Sequence, residues 1–310
     1  MAGLRVIRAG VAATVQDRGR AGYRGFGVPV GGSFDRRSSD LANALVGNEA
    51  DCAALELTLV GGVFRAEIPL AIALAGAPMA AEIRRGPEAE PRPLVVPQSA
   101  ALEPGDELHL GGTVIGARTY VAVRGGWRTP LVLGSRSDEA RLRAGDLLPA
   151  APGSTPARRP AAWPWAVGEG GPIRVVDGPD AEASLGGASF FESAGFVVSP
   201  RSDRMGLRLE GPTITVDAPP DRPSAPVAPG AVQVAGGRAI VLGVAGGTIG
   251  GYVHLAHVIS PDLDRLAQAR PGDRLTFRRV DLAEARRLDQ ADRRAQAAWL
   301  APIRAIAASR

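Results

Sequence analysis

Arginine stands beside acids and glycines at three places in the chain. Arg18 and Arg20 follow Asp17 in TVQDRGRAG, Arg136 lies in GSRSD, and Arg201 and Arg204 bracket Ser202 and Asp203 in SPRSDRMG. A guanidinium grips a carboxylate or phosphate through two parallel hydrogen bonds, and neighbouring glycines let backbone N–H groups reach the same anion. This pattern suits the holding of a small anionic amide and the neutralisation of charge on a transferring phosphoryl group. Arg–Asp pairs in turns also tie loops together. For Arg18 with Asp17, and for Arg204 with Asp203, the residue types leave both readings open. Arg136 favours an anion, because GSRS adds two hydroxyls and a glycine.

Other chemistries lack their parts. All 36 basic residues are arginine. Without lysine there is no phosphate-binding P-loop, no Schiff base and no attachment point for covalent biotin. The glycines of residues 19–32 do not fall at the G-x-G-x-x-G spacing of a dinucleotide loop. H-E-x-x-H and G-x-S-x-G are both missing. His254 and His257 are three apart in a strand-like segment. That spacing points them to opposite faces, so no shared metal ion is expected. Cys52 is the single cysteine, which rules out an internal disulfide, and its apolar surroundings suggest a buried, inert thiol. The net charge is only +4, with acids interspersed among the arginines, so nucleic acid is not an expected partner. No apolar run reaches the roughly 18 residues of a membrane span, and the first residues do not resemble a signal peptide. A cytoplasmic location is the expectation.

The elements that must position these residues are mostly strands. LRVIRAG, AEIPLAIALAG, ELHLGG, TYVAVRGG, IRVVDGP, GLRLEGPTITVDA, AIVLGVAGG, GYVHLAHVI and RLTFRRV alternate in hydropathy and end on turn residues. With 40 glycines and 26 prolines in 310 residues, the chain reads as mainly β, of the sandwich or barrel kind. Helices are few. Asp35 caps one that stops at Gly47, and Ser260 is expected to cap a second, with Pro261 at its first position. A third covers much of 281–309, with Leu282, Leu288, Trp299 and Ile303 as an uneven apolar stripe. Residues 156–171 read as a linker, docked by Trp163 and Trp165. Pro-Gly-Asp before a strand occurs in LEPGDELHL and ARPGDRLTF, with a looser copy in LRAGDLLP. The expected domains are therefore 1–155 and 172–280, followed by a helical segment at 281–310.

The order of residues is more specific. TVQDRGRAGYRGFGVPVGGSFDRRSSDLANALVGN, followed by LELTLVGGVF with Glu56 in its strand, closely resembles the start of the allophanate hydrolase subunit 2 family. VSPRSDRMGLRLEG, PVAPGAVQV and GGYVHLAHVISPDLDRLAQARPGDRLTF extend the resemblance over nearly the whole chain. The family includes the C component of bacterial 5-oxoprolinase, the carboxyltransferase portion of urea carboxylase, and an antagonist of a sporulation-kinase inhibitor. The resemblance implies two tandem cyclophilin-like β-barrels. It also implies a subunit-1 partner (5-oxoprolinase B-like) and, for the oxoprolinase type, a lactam-utilisation A component with ATP as cofactor. Candidate substrate-binding residues are then Arg18, Asp35, Arg136, Ser137, Arg201, Asp203, Arg204, Thr248 and Tyr252. Gly31, Gly32, Gly250 and Gly251 are the candidate cofactor-binding glycines. The chain departs from the family's D-x-Q-T-x-G-G-Y. Ala245 stands in place of the aspartate and Gly247 in place of the glutamine, while Val253 replaces the usual proline and the insertion after GSRS is short.

Overall fold

The computed structural model describes residues 2–308 except 87, 166, 168–170, 185–191, 193 and 220. The chain forms two compact units. One comprises Met1–Arg20, Gly31–Gly168 and Gln296–Arg310, the other Ala21–Val30 and Glu169–Ala295. Both are built chiefly of strands, and three α-helices lie among the described residues. None of these helices is long and apolar enough to cross a membrane.

Unit 1 contains β1 (Gly3–Arg8), β2 (Ala12–Gln16), α1 (Arg36–Leu45), β3 (Ala54–Thr58), β4 (Val63–Ala66), β5 (Leu70–Gly76), β6 (Met79–Arg84), β7 (Arg92–Leu94), β8 (Gln98–Leu102), β9 (Glu107–Thr113), β10 (Arg118–Val123) and β11 (Leu147–Pro149). They form two sheets, ordered β11-β1-β4-β9-β6-β7 and β2-β3-β10-β5-β8. Leu4, Val6, Leu55, Leu57, Phe64, Ile72, Leu108 and Val121 pack in the core between them. The second sheet is buried on its other face too. There Ala54, Ala73, Ala75, Tyr120 and Ala122 meet Leu41, Ala44 and Leu45 of α1. This double burial explains why LAIALAG, expected to alternate, is buried along its whole length. The small alanines on the outer face let the helix lie close. Asp35 caps α1 by accepting from Ser38 N, and Gly47 (φ 77°) follows its end, both as expected from the sequence.

Unit 2 contains β12 (Ile173–Asp177), β13 (Phe196–Val198), β14 (Gly206–Glu210), β15 (Ala225–Pro226), β16 (Ala231–Ala235), β17 (Arg238–Leu242), β18 (Ile249–Gly250), β19 (Val253–Val258), α2 (Ser260–Ala267), β20 (Arg274–Leu275) and β21 (Phe277–Arg279). Eight of these strands form one sheet, ordered β20-β13-β14-β17-β16-β19-β12-β21. Its two edge strands are separated in sequence by Thr276 alone, so the sheet curls until its ends meet in one segment. RLTFRRV, expected as one strand, is split because it straddles that seam. β15 and β18 form a separate two-stranded ribbon.

The helices depart from expectation in detail. α2 begins at Ser260 itself, and the extended residue before it is Ile259. Its anchor is Asp262, fully buried, which accepts from Arg174 N (2.7 Å), Nε (3.0 Å) and Nη2 (2.6 Å). α3 (Leu282–Ala308) has an uneven stripe because its parts serve different cores. Leu288 packs with Ile259 and Val280, while Leu300, Trp299 and Ile303 join the layer around α1. Leu282, expected on that stripe, is instead exposed. Trp163 and Trp165 dock the intervening segment by edge contacts to Trp299, at 5.0 and 6.1 Å between ring centroids.

The Gly-Asp repeat is one turn used three times. Asp106, Asp146 and Asp273 each accept through Oδ2 from the backbone N of the residue three earlier, at 2.9, 2.7 and 2.8 Å. Gly105, Gly145 and Gly272 sit at φ 92°, 92° and 90°, where side chains are strained. Each of these glycine N–H groups donates to a strand carbonyl, of Ala66, Val6 and Val198 respectively. The looser third copy thus has the same geometry as the other two. Asp106 is 4% exposed and also lies 3.3 Å from Arg85, whereas Asp146 is exposed. Asp106→Ala should therefore cost about 1–3 kcal/mol in urea melts, and Asp146→Ala no more than about 1 kcal/mol.

Candidate functional site

In unit 1 the candidate residues gather around Asp17, at the end of β2. Its carboxylate accepts four hydrogen bonds: from Gly19 N (2.7 Å), Ser135 Oγ (2.6 Å), Ser137 Oγ (2.6 Å) and Arg136 N (2.6 Å). The Gly-Ser-Arg-Ser loop does bind an anion, and that anion is the chain's own Asp17. Burial alone would push this carboxyl up. The bonds from Ser135, Ser137, Arg136 and Gly19 together outweigh it and hold the group below the usual range.

The arginines here are also engaged. Arg136 donates from Nη1 to the Thr129 carbonyl. Arg18 turns away from Asp17, donating to Asp40 Oδ1 (2.6 Å) and to the Ala50 carbonyl (3.1 Å). Arg20 reaches the carbonyls of Val132 and Ser137. Gly31 and Gly32, at φ 64° and 83°, bring the returning chain against this loop; a Cβ on Gly32 would lie 2.8 Å from Gly19 N. Burial raises the Asp40 carboxyl against the opposing pull of Arg18, and Gln296 Nε2 donates to its other oxygen at 3.0 Å.

Beneath the start of α1 lies a buried network. Glu56, 1% exposed, accepts from Tyr120 Oη (2.6 Å) and Phe34 N (3.0 Å) through Oε2, and from Arg118 Nε (3.3 Å) through Oε1. The Tyr120 hydroxyl in turn accepts from Asp35 N at 2.8 Å. Burial, then the charges of Glu56 and Asp35, push the tyrosine well above its ordinary range, so it remains a donor. Asp35 is thereby fixed as a helix cap. Tyr120 and Arg118 went unnoticed in the sequence because they look like ordinary strand residues. Their signal is the register that sets Tyr120 opposite Glu56.

The remaining candidates belong to unit 2. Asp203 closes its own turn, accepting from Met205 N (2.8 Å) and Gly206 N (3.2 Å). Arg204 is buried, and its carbonyl accepts from Ala245 N (3.1 Å). Arg201 is exposed, as is Tyr252. Thr248 is buried; its carbonyl accepts from Val227 N beside the β15–β18 ribbon, where Gly250 lies, and Gly251 follows. The histidines correct the expectation from strand alternation. The β16–β19 register slips between Val232 and Gln233, and this bulge turns His254 and His257 to the same side, with ring centroids 5.5 Å apart. Among the described residues, no group of three or more His, Cys, Asp or Glu is placed to hold a metal ion.

Against known proteins, the profile of the family described as "Carboxyltransferase domain, subdomain A and B" matches residues 26–279. The chain belongs to that carboxyltransferase domain family. Its relatives include the C subunit of 5-oxoprolinase from Escherichia coli (strain K12), 34% identical, with 96% of this chain and 98% of that protein covered. The urea amidolyase of Lachancea kluyveri is 30% identical over 92% of this chain but only 17% of its own length. Among solved structures, the K. lactis urea amidolyase superposes with a TM-score of 0.82 at 26% identity, covering 96% of this chain and 20% of that one.

The Asp17 cluster and the Gly247 position can each be probed by one substitution. Asp17→Asn removes the charge that four donors surround and should cost about 1–3 kcal/mol at neutral pH by urea denaturation. The folded carboxyl is depressed, so its stabilisation is present above the unfolded value of 3.8 and is lost as pH falls through the lower folded value. The gap between variant and wild type should accordingly close in acid. Gly247 is exposed, its φ is not positive, and an added Cβ would meet only Ile249 O at 3.6 Å. Gly247→Gln, which inserts the residue that the resemblance led one to expect here, should leave stability unchanged to within about 0.5 kcal/mol in urea melts.

Proposed function

We propose that this chain is the C component of an ATP-dependent 5-oxoprolinase. It would work with a subunit-1 (B-like) partner and a lactam-utilisation A component to activate and open a small anionic cyclic amide. The observation that carries this reading is the correspondence with the Escherichia coli C subunit over 98% of that protein's length. The donors around Asp17 are committed to that carboxylate, so this loop does not fit a nucleotide phosphate as well. ATP is therefore assigned to the assembled complex, and no step is routed through it on this chain. The cytoplasm is the compartment such an ATP-consuming complex would occupy.

A second reading is carboxyl transfer to urea or a related amide, favoured by the superposition on the K. lactis urea amidolyase. Biotin would then arrive on another chain, since this one has no lysine. One reconstitution separates the two. Purified chain, subunit-1 partner and A component together should consume ATP and release glutamate only when 5-oxoproline is added, and omitting this chain should abolish it. Indifference to 5-oxoproline, together with biotin-dependent carboxylation of urea, would reverse the assignment.

A further inference from the structure

Unit 2 holds two buried polar atoms that no partner meets among the described residues. Gln233 of β16 is 4% exposed, and its Nε2 is buried without a hydrogen-bond partner among the described residues. Nε2 of His254 is in the same condition. These residues stand directly opposite each other in the β16–β19 pair, so their side chains leave the sheet on one face, side by side. A buried amide N–H and a buried ring nitrogen without partners have each given up water with no hydrogen bond in return. Such a pair on a sheet face is unusual unless something else meets it.

The chemistry of the pair is one donor beside one acceptor. Gln233 Nε2 can only donate. The Ala256 backbone hydrogen-bonds the His254 ring in the sense that raises its pKa, which is that of a carbonyl accepting from a ring N–H. With Nε2 lacking a partner, that bond uses Nδ1, and Nε2 is left as a lone pair. Burial holds both imidazoles neutral; His254 is lowered and His257 is pushed down to about 4. The surrounding charges do not reverse this: Asp180 accepts from His254 N, and Arg24 lies towards His257.

We propose that Gln233 and His254 form a receptor for the edge of a cis amide, as found in a lactam or a urea. The Gln233 Nε2–H donates to the amide carbonyl, and the amide N–H donates to His254 Nε2. This assignment rests on the amide-activating function proposed above and places that substrate's reacting group in unit 2. A lactam shows its carbonyl and N–H side by side, which matches the pair. A trans peptide points the two groups in opposite directions, and a carboxylate offers two acceptors, one of which would confront the lone pair of His254.

The cover over this receptor is the β15–β18 ribbon. A Cβ on Gly250 would lie 3.0 Å from Gln233 Nε2. The ribbon is short: Ala225 pairs with Gly250 and Pro226 with Ile249, and Val227 N donates to the Thr248 carbonyl at its end. The amide enters when the ribbon lifts, and Gly250 is the residue that lets the ribbon lie this close when shut.

The test is a titration of the full-length, histidine-labelled chain, reading the His254 Nε2 resonance by ¹⁵N NMR. The probes are 2-pyrrolidinone, a bare lactam, and N-methyl-2-pyrrolidinone, which lacks the N–H. A saturable shift with the first probe and none with the second is expected. Gln233→Met keeps the length of the side chain and removes the donor. It should weaken 2-pyrrolidinone by about tenfold or more while raising the melting midpoint, an opposite pair of changes that a purely structural glutamine would not give. No response to either lactam overturns the proposal. So does a free protein in which His254 Nε2 already accepts from Gln233, seen as a shift that disappears in Gln233→Met. Turnover of 5-oxoproline by the complex is measured separately. Turnover without the shift removes this site and keeps the function; the shift without turnover does the reverse.

Discussion

Inward-facing carboxylates met by backbone N–H groups are the constraint on which this protein depends. An ionised carboxylate removed from water is tolerated only where several donors converge on it. Asp17 collects donors from two loops that lie 118 to 120 residues apart in sequence. Glu56 collects them from a neighbouring strand and from the chain entering α1. Asp106 does the same on a smaller scale within its own turn, and Asp146 and Asp273 close the same turn at the surface. In each case the acid fixes a connection where strand pairing has stopped. Loops rich in glycine are thereby held in place without regular secondary structure.

The same economy shapes the layers of unit 1. Its inner sheet gives large side chains to one face and alanines to the other, so one strand sequence serves two cores. Tyr120 breaks the alanine face beside Glu56, and its hydroxyl finds both a donor and an acceptor there. A phenylalanine would fit the space and strand both partners.

Strands, the α1 cap and the tryptophan docking were legible because each is a local property: alternation, a capping residue, an apolar stripe. Family membership was legible because its motifs are long and ordered. The partners of the candidate residues were not. Arg18 stands next to Asp17 in sequence yet bonds Asp40, because a turn side chain is free to choose the acid that its backbone presents. The serines flanking Arg136 looked like ligand donors, and only the fold reveals that an acid more than a hundred residues away has taken them. The histidine pair escaped because a single-residue bulge reverses the side of every later side chain, and a bulge leaves no mark in hydropathy.

The seam at Thr276 bears on how the protein is made. β12 lies between β19 and β21, and the strand that closes on it comes about a hundred residues later. Leu300 completes the layer around α1, and it is made later still. Neither unit can finish its core until these late segments have left the ribosome. Until β21 is made, the β12 edge that it covers stands open to other extended segments within reach.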